Sequence, residues 1–148
     1  MKLTTPEQAK ALCEKAHAGQ FRRDGVTPYV THVIAVANMM NTPYRKILAY
    51  LHDVIEDTDY ELTDSWRKNL ITPDGEVIEI SDDLWIDLNL LTKDPDLTYE
   101  QNIRRIKDSG RADPIAVKIA DNCDNLSTGT GKQKEKYLTI SLPILLEA

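Results

Sequence analysis

An all-α domain, with at most a short β-hairpin near residues 70–80, is what this sequence predicts, and three observations carry the expectation. Several segments open on Thr or Asp beside a proline or ahead of a glutamine, apolar residues recur between these points at helical spacing, and a single stretch has the β-branched character of strands. At 148 residues the chain fits one domain, taken as residues 1–148. Its 41% hydrophobic and 28% charged residues suit a compact multi-helix bundle with a core of ordinary size.

Thr5-Pro6-Glu7-Gln8 starts the first helix: the Thr5 hydroxyl caps the first turn, Pro6 needs no amide partner there, and Gln8 can close a capping box. Gly19 stops it, and "GQFRRDGVTPYVTH" reads as a loop from about residue 19 to 29. The second helix carries Ile34, Val36, Ala37 and Met40 and breaks near Asn41. Thr42-Pro43 opens a third, in which Ile47, Leu48, Leu51, Val54 and Ile55 are apolar on more than one side, the pattern of an enclosed helix. A helix is expected around residues 63 to 70, followed by a hairpin across Pro-Asp-Gly in "LITPDGEVIEIS". Further helices are expected over 82–91, from Thr98 (with Gln101 closing a second capping box) to just before Gly110, and from Asp113-Pro114 to about Leu126. "GTGK" separates these from a last helix.

Charge narrows the function. With 24 acidic and 18 basic side chains the net charge is −6, so the chain lacks the basic surface of a nucleic-acid binder, and a small anionic substrate needs a local basic pocket. No apolar run approaches the length of a membrane span, and "MKLTTPEQAK" has no apolar core, so the expectation is a soluble cytoplasmic protein without membrane partners. Cys13 and Cys123 lie far apart in helical segments and read as buried thiols, not a disulfide or a metal pair. Trp66 and Trp85 read as core or contact residues. Nothing in the sequence fixes the oligomeric state.

The chemistry concentrates in "AYLHDVIEDT", residues 49–58. Read as one helix, it puts His52 and Glu56 on a common face and Asp53 and Asp57 beside them, a single polar patch in an apolar segment. Neighbouring carboxylates are costly to bury unless a cation sits among them, and imidazole with carboxylate oxygens suits Mn, Fe, Zn or Mg. Only three histidines exist. His32 at the start of the second helix, and Asp121 in the apolar segment "AVKIADNCDNL" with Asn125 one turn on, can complete a set of His32, His52, Asp53 and Asp121 drawn from three helices. His17 has no metal spacing to His32 and reads as a packing or supporting residue near the site.

The ordered residues His32, His52-Asp53 and Asp121 resemble the signature of the HD-domain metal-dependent phosphohydrolases. The stretches "AHAGQFRRDGVTPYVTH", "LHDVIEDT" and "VKIADNCDNL" are most similar to the hydrolase domains of RelA/SpoT-type enzymes and the small stand-alone alarmone hydrolases. This resemblance implies an HD-type bundle that removes the 3′-pyrophosphate of (p)ppGpp and uses a divalent metal, usually manganese. It implies that Arg23 lies against the nucleotide base, that Arg22 is a second phosphate or base contact, that Tyr29 shapes the pocket and that Asn125 touches the sugar. Glu56 and Asp57 match the pair that positions or activates the attacking water. Two departures stand out: Val33 follows the first histidine where the family commonly has proline, and Asn122 follows the last aspartate in place of a basic residue, removing a positive charge near the site. Two other readings stay open: a phosphohydrolase acting on a nucleoside monophosphate or a cyclic nucleotide, and a non-catalytic nucleotide-sensing module. At 148 residues the chain is expected to carry no synthetase domain beside this one.

Overall fold

The computed structural model describes residues 1–148 as nine α-helices and one π-helical turn around a small three-stranded sheet. In chain order these are α1 (Pro6–Ala16), α2 (Val30–Asn38), α3 (Pro43–Leu51), α4 (Val54–Asp57), β1 (Glu61–Leu62), β2 (Asn69–Ile71), β3 (Val77–Glu79), α5 (Asp82–Leu91), α6 (Tyr99–Asp108), α7 (Ala112–Leu126), α8 (Gly131–Lys136), the π turn (Tyr137–Ser141) and α9 (Leu142–Leu145). No helix is long and apolar enough to cross a membrane.

Local chemistry sets most of these limits. Thr5 and Thr98 each accept from the amide three residues on, while the side chains of Gln8 and Gln101 reach back to the cap, so both expected capping boxes form. Thr42 and Ser81 cap α3 and α5 through their hydroxyls alone, accepting from the amides of Arg45 and Leu84. After α1, Gly19 takes φ 81°, the left-handed conformation that glycine adopts without penalty.

The core is organised on α3 and α7. α3 packs against α1, α2, α5 and α7, while α7 also touches α6 and α9. Accordingly Leu48, Leu51, Val36, Ala37 and Val117 are completely or almost completely buried. Truncating Leu48→Ala leaves a cavity that rigid neighbours only partly close. The expected cost is about 3 kcal/mol, or a fall of about 10 °C in the unfolding midpoint of the metal-free protein, read by calorimetry. A shift of about 2 °C or less would mean that α3 is not the centre of the core.

The sheet corrects one expectation and bears out another. β2 and β3 form the hairpin across Pro73-Asp74-Gly75, with Asn69 opposite Glu79 and Leu70 opposite Ile78. Residues 63–70, however, form no helix: β1 pairs antiparallel with β2, Glu61 opposite Ile71, through a turn in which Lys68 takes φ 52°. Pairing of β2 with both neighbouring strands, and burial of Leu70 against the helices, outweigh the local helical tendency. Trp66 stands on that turn 80% exposed, outside the core, whereas Trp85 packs against the core and donates its indole N–H to the Thr63 carbonyl at 3.0 Å. Cys123 is also exposed; only Cys13 is a buried thiol.

Candidate metal centre and substrate cavity

The segment around His52 is not one helix. α3 ends at Leu51 and α4 begins at Val54, so His52 and Asp53 form the joint between them. The His52 ring turns back and donates Nδ1–H to the Ala49 carbonyl at 2.5 Å, the acceptor that an unbroken helix would offer to the Asp53 amide. Asp53 then sits at φ −105°, ψ −3°. The break aims His52 and Asp53 at one point and leaves Glu56 and Asp57 on the next turn, so the four groups do not share one helical face.

His32 enters from α2 and Asp121 from α7. One ligand atom from each of His32, His52, Asp53 and Asp121 lies within 4.8 Å of all the others. His32 Nε2 is 2.8 Å from Asp121 Oδ1 and 3.7 Å from Asp53 Oδ2, and His52 Nε2 is 3.0 Å from Asp53 Oδ2 and 3.3 Å from Asp121 Oδ1. Both histidines are pinned through Nδ1, His52 by a carbonyl and His32 by the Asp124 carboxylate at 2.6 Å, so both Nε2 atoms converge on the same two carboxylates. Two imidazole nitrogens and two carboxylate oxygens that converge in a buried place are a donor set for a divalent ion.

The electrostatics are those of a tight cluster. Burial opposes protonation of His52, but the charge of Asp53 and hydrogen bonds to Asp121 and Asp53 outweigh it and hold the imidazole well above its ordinary value. His32 is raised for a similar reason, burial being overcome by its bond to Asp121. Burial works to raise Asp121, yet Lys118 and the two histidines hold its carboxyl well below the usual range.

Tyr29 donates its hydroxyl to Asp53 Oδ2 at 2.7 Å, and its ring lies between those of His17 and His32, tilted to both. Buried His17 donates Nδ1–H to Gln20 Oε1 at 2.9 Å, and Gln20 donates to the Asp57 carbonyl at 2.8 Å, so His17 lies behind the site. Asn125 donates to Asp121 Oδ1 at 3.3 Å.

Two cavities adjoin the cluster. The first, of about 250 Å³, is bordered by Asp53, Asp121, Glu56 and Asp57 and by Lys93, Lys118 and Lys136. The second, of about 480 Å³, is bordered by Phe21, Arg22, Arg23 and Thr128. They share Tyr29 and Asn125. Arg23 donates to Gln133, while Arg22 is turned to Asp124 at 3.1 Å and Thr128 at 2.7 Å.

Four residues here were not singled out in the sequence. Lys118 and Asp124 stand three positions before and after Asp121 on α7, the spacing of one helix face, and Lys118 donates to Asp121 Oδ2 at 3.0 Å. Lys93 and Lys136 come from elsewhere in the chain, and only the fold brings them together. Lys136 sits 4.3 Å from the centre of the Tyr99 ring. Asn122 does not face the cavity: completely buried, it donates to the Lys118 carbonyl at 2.8 Å and accepts from Ser141 in the π turn. Lys118, one turn before Asn122, places a positive charge directly beside Asp121.

A helical bundle in which His32, His52-Asp53 and Asp121 converge has the ordered ligand set of the HD class of metal-dependent phosphohydrolases. Comparison with known proteins narrows this. Guanosine-3′,5′-bis(diphosphate) 3′-pyrophosphohydrolase MESH1 of Drosophila melanogaster is 32% identical over 136 residues, covering 81% of this chain and 69% of that protein. GTP pyrophosphokinase of Streptomyces coelicolor is 29% identical over 136 residues, 88% of this chain. This chain spans only about 15% of the length of that relative. The solved structure of a metazoan ortholog of SpoT that hydrolyzes ppGpp has the same fold, with a TM-score of 0.66 at 23% identity over 95% of this chain and 85% of that one. No protein-family model matches the chain. The chain belongs to the family of guanosine-3′,5′-bis(diphosphate) 3′-pyrophosphohydrolases represented by the Drosophila protein.

Proposed function

We propose that this protein removes the 3′-pyrophosphate from guanosine alarmones of the (p)ppGpp type. The observation that carries the reading is the pair of joined cavities: one couples a candidate metal centre to three lysines, the other presents Arg23 and Phe21, and Tyr29 and Asn125 lie between them. That layout fits a nucleotide whose phosphates lie at one end and whose base lies at the other. It also supplies the local basic pocket that a chain of net charge −6 needs for an anionic substrate.

His32, His52, Asp53 and Asp121 would hold the ion, manganese in our reading, although iron, zinc or magnesium suits the same donors. A divalent ion there supplies Lewis-acid polarisation of a phosphoryl oxygen and acidifies a water molecule. The protein's own groups do the rest. Tyr29 and Asn125 hold the two aspartates in place, and Lys118, Lys93 and Lys136 offset the phosphate charge. Asp57 takes the proton of the attacking water, with Glu56 beside it to orient that water. The water oxygen bonds to the phosphorus carried on the 3′ oxygen, the bond between that phosphorus and the 3′ oxygen breaks, the 3′ oxygen takes up a proton, and pyrophosphate departs. Arg23 lies against the base, and Asn125, at the seam of the cavities, is within reach of the sugar. A nucleotide substrate also fits a cytoplasmic setting.

The test is a panel with purified protein and Mn²⁺: ppGpp against nucleoside monophosphates and cyclic nucleotides, each with and without EDTA. The reading expects ppGpp to be consumed fastest and EDTA to stop it. Consumption of another nucleotide with ppGpp untouched would transfer the assignment to that substrate, and nucleotide binding without turnover would leave a sensing module.

A further inference from the structure

We infer that Asp124 and Arg22 are positioning residues for the metal centre: Asp124 fixes the His32 ring so that Nε2 faces the ion, and Arg22 holds Asp124. The inference rests on reading the His32, His52, Asp53 and Asp121 cluster as a divalent-metal site.

The geometry is specific. His32 is almost wholly buried, and its Nδ1 lies 2.6 Å from Asp124 Oδ2 while its Nε2 faces Asp121 and Asp53. An imidazole that donates Nδ1–H to a carboxylate has its lone pair on Nε2, the atom a metal ligand must offer, and the bond also stops the ring from turning about its Cβ–Cγ axis. The same Asp124 oxygen accepts from Arg22 Nη1 at 3.1 Å, and Arg22 Nη2 donates to the Thr128 hydroxyl at 2.7 Å. Thr128 lies just past the end of α7, so the guanidinium ties the loop before α2 to that end of α7. Both Asp124 and Arg22 keep only 14% of their side-chain exposure, so the pair is shielded from solvent.

Arg22 therefore has a different task from Arg23. Its two terminal nitrogens are already committed within the protein, whereas Arg23 is exposed at the mouth of the second cavity. The adjacent arginines of "QFRRDG" divide between holding the metal centre and facing substrate. His52 needs no such pair, because the Ala49 carbonyl plays the part for it.

The test is calorimetric titration of the metal-stripped protein with Mn²⁺, without substrate. Supporting groups of this kind are worth roughly 10- to 100-fold in metal affinity, so Asp124→Ala is expected to weaken Mn²⁺ binding by about that factor. Arg22→Ala should weaken it less, and the double variant should be no weaker than Asp124→Ala alone, since Arg22 acts through Asp124. Asp124→Asn, equal in shape and still able to accept from Nδ1–H, should lie between the parent and Asp124→Ala; it carries the test if the alanine variant does not fold. Parent-like affinity in Asp124→Ala or Asp124→Asn overturns the inference while leaving the metal centre intact. Additive losses in the double variant overturn the part assigned to Arg22. A parent protein that binds no Mn²⁺, Fe²⁺ or Zn²⁺ overturns the metal reading itself and this inference with it.

Discussion

Asp121→Ala should abolish both metal binding and hydrolysis. In the structure the Asp121 carboxylate accepts from Lys118 and Asn125 and lies against the Nε2 atoms of His32 and His52, so it is the meeting point of three helical segments. Its removal takes away one ligand and also leaves Lys118 and two histidines facing each other without a counter-charge. An ion that stabilises developing phosphoryl charge is worth several kcal/mol, which corresponds to about a thousandfold in rate or more. The expected result is a loss of at least about that size in kcat/KM together with loss of stoichiometric Mn²⁺ in the purified protein. A variant that retains Mn²⁺ and more than about a tenth of the parental rate would remove Asp121 from the centre.

The second large effect is expected at Asp57. Desolvation by the surrounding protein, followed by the charge of Asp53, pushes its carboxyl up to about 6. A general base works in its deprotonated form, so the rate should rise with pH through this pKa and level off above it. A cation that neutralises Asp53 weakens the second cause, so the acid limb should lie at or somewhat below about 6. Asp57→Asn keeps the shape but cannot take a proton. It should lower kcat by roughly 10²- to 10⁴-fold while leaving Mn²⁺ affinity near the parental value. Equal losses of metal affinity and rate would instead make Asp57 a ligand, and a parental rate would pass the role of base to Glu56.

The residues that could be read in the sequence are those whose chemistry is unusual for their surroundings. His32, His52, Asp53 and Asp121 are polar groups in apolar segments, and the fold draws them together. The caps at Thr5 and Thr98 depend on four consecutive residues and form as expected. Lys118 and Asp124 were harder, because a lone lysine or aspartate on a helix is ordinarily solvated, and only the approach of α2 to α7 gives Asp124 a histidine and Arg22 as partners. The break at His52 was hidden for a different reason. It arises from a side chain competing for the Ala49 carbonyl, which neither hydrophobic period nor helix propensity reports. Residues 63–70 failed as a helix because their structure is decided by β1–β2 pairing across a turn that carries no Gly or Pro to mark it in the sequence. The π turn, whose Ser141 donates to Asn122 and accepts from Tyr99, is likewise a product of tertiary bonding.

The most direct test of the central claim is the identity of the products. Phosphorus NMR of ppGpp incubated with the Mn²⁺-loaded protein should show GDP and pyrophosphate appearing in equal amounts, with no orthophosphate and no reaction in the Asp121→Ala variant. Orthophosphate as the first product, or ppGpp left intact by a protein that demonstrably holds its metal, would contradict the account.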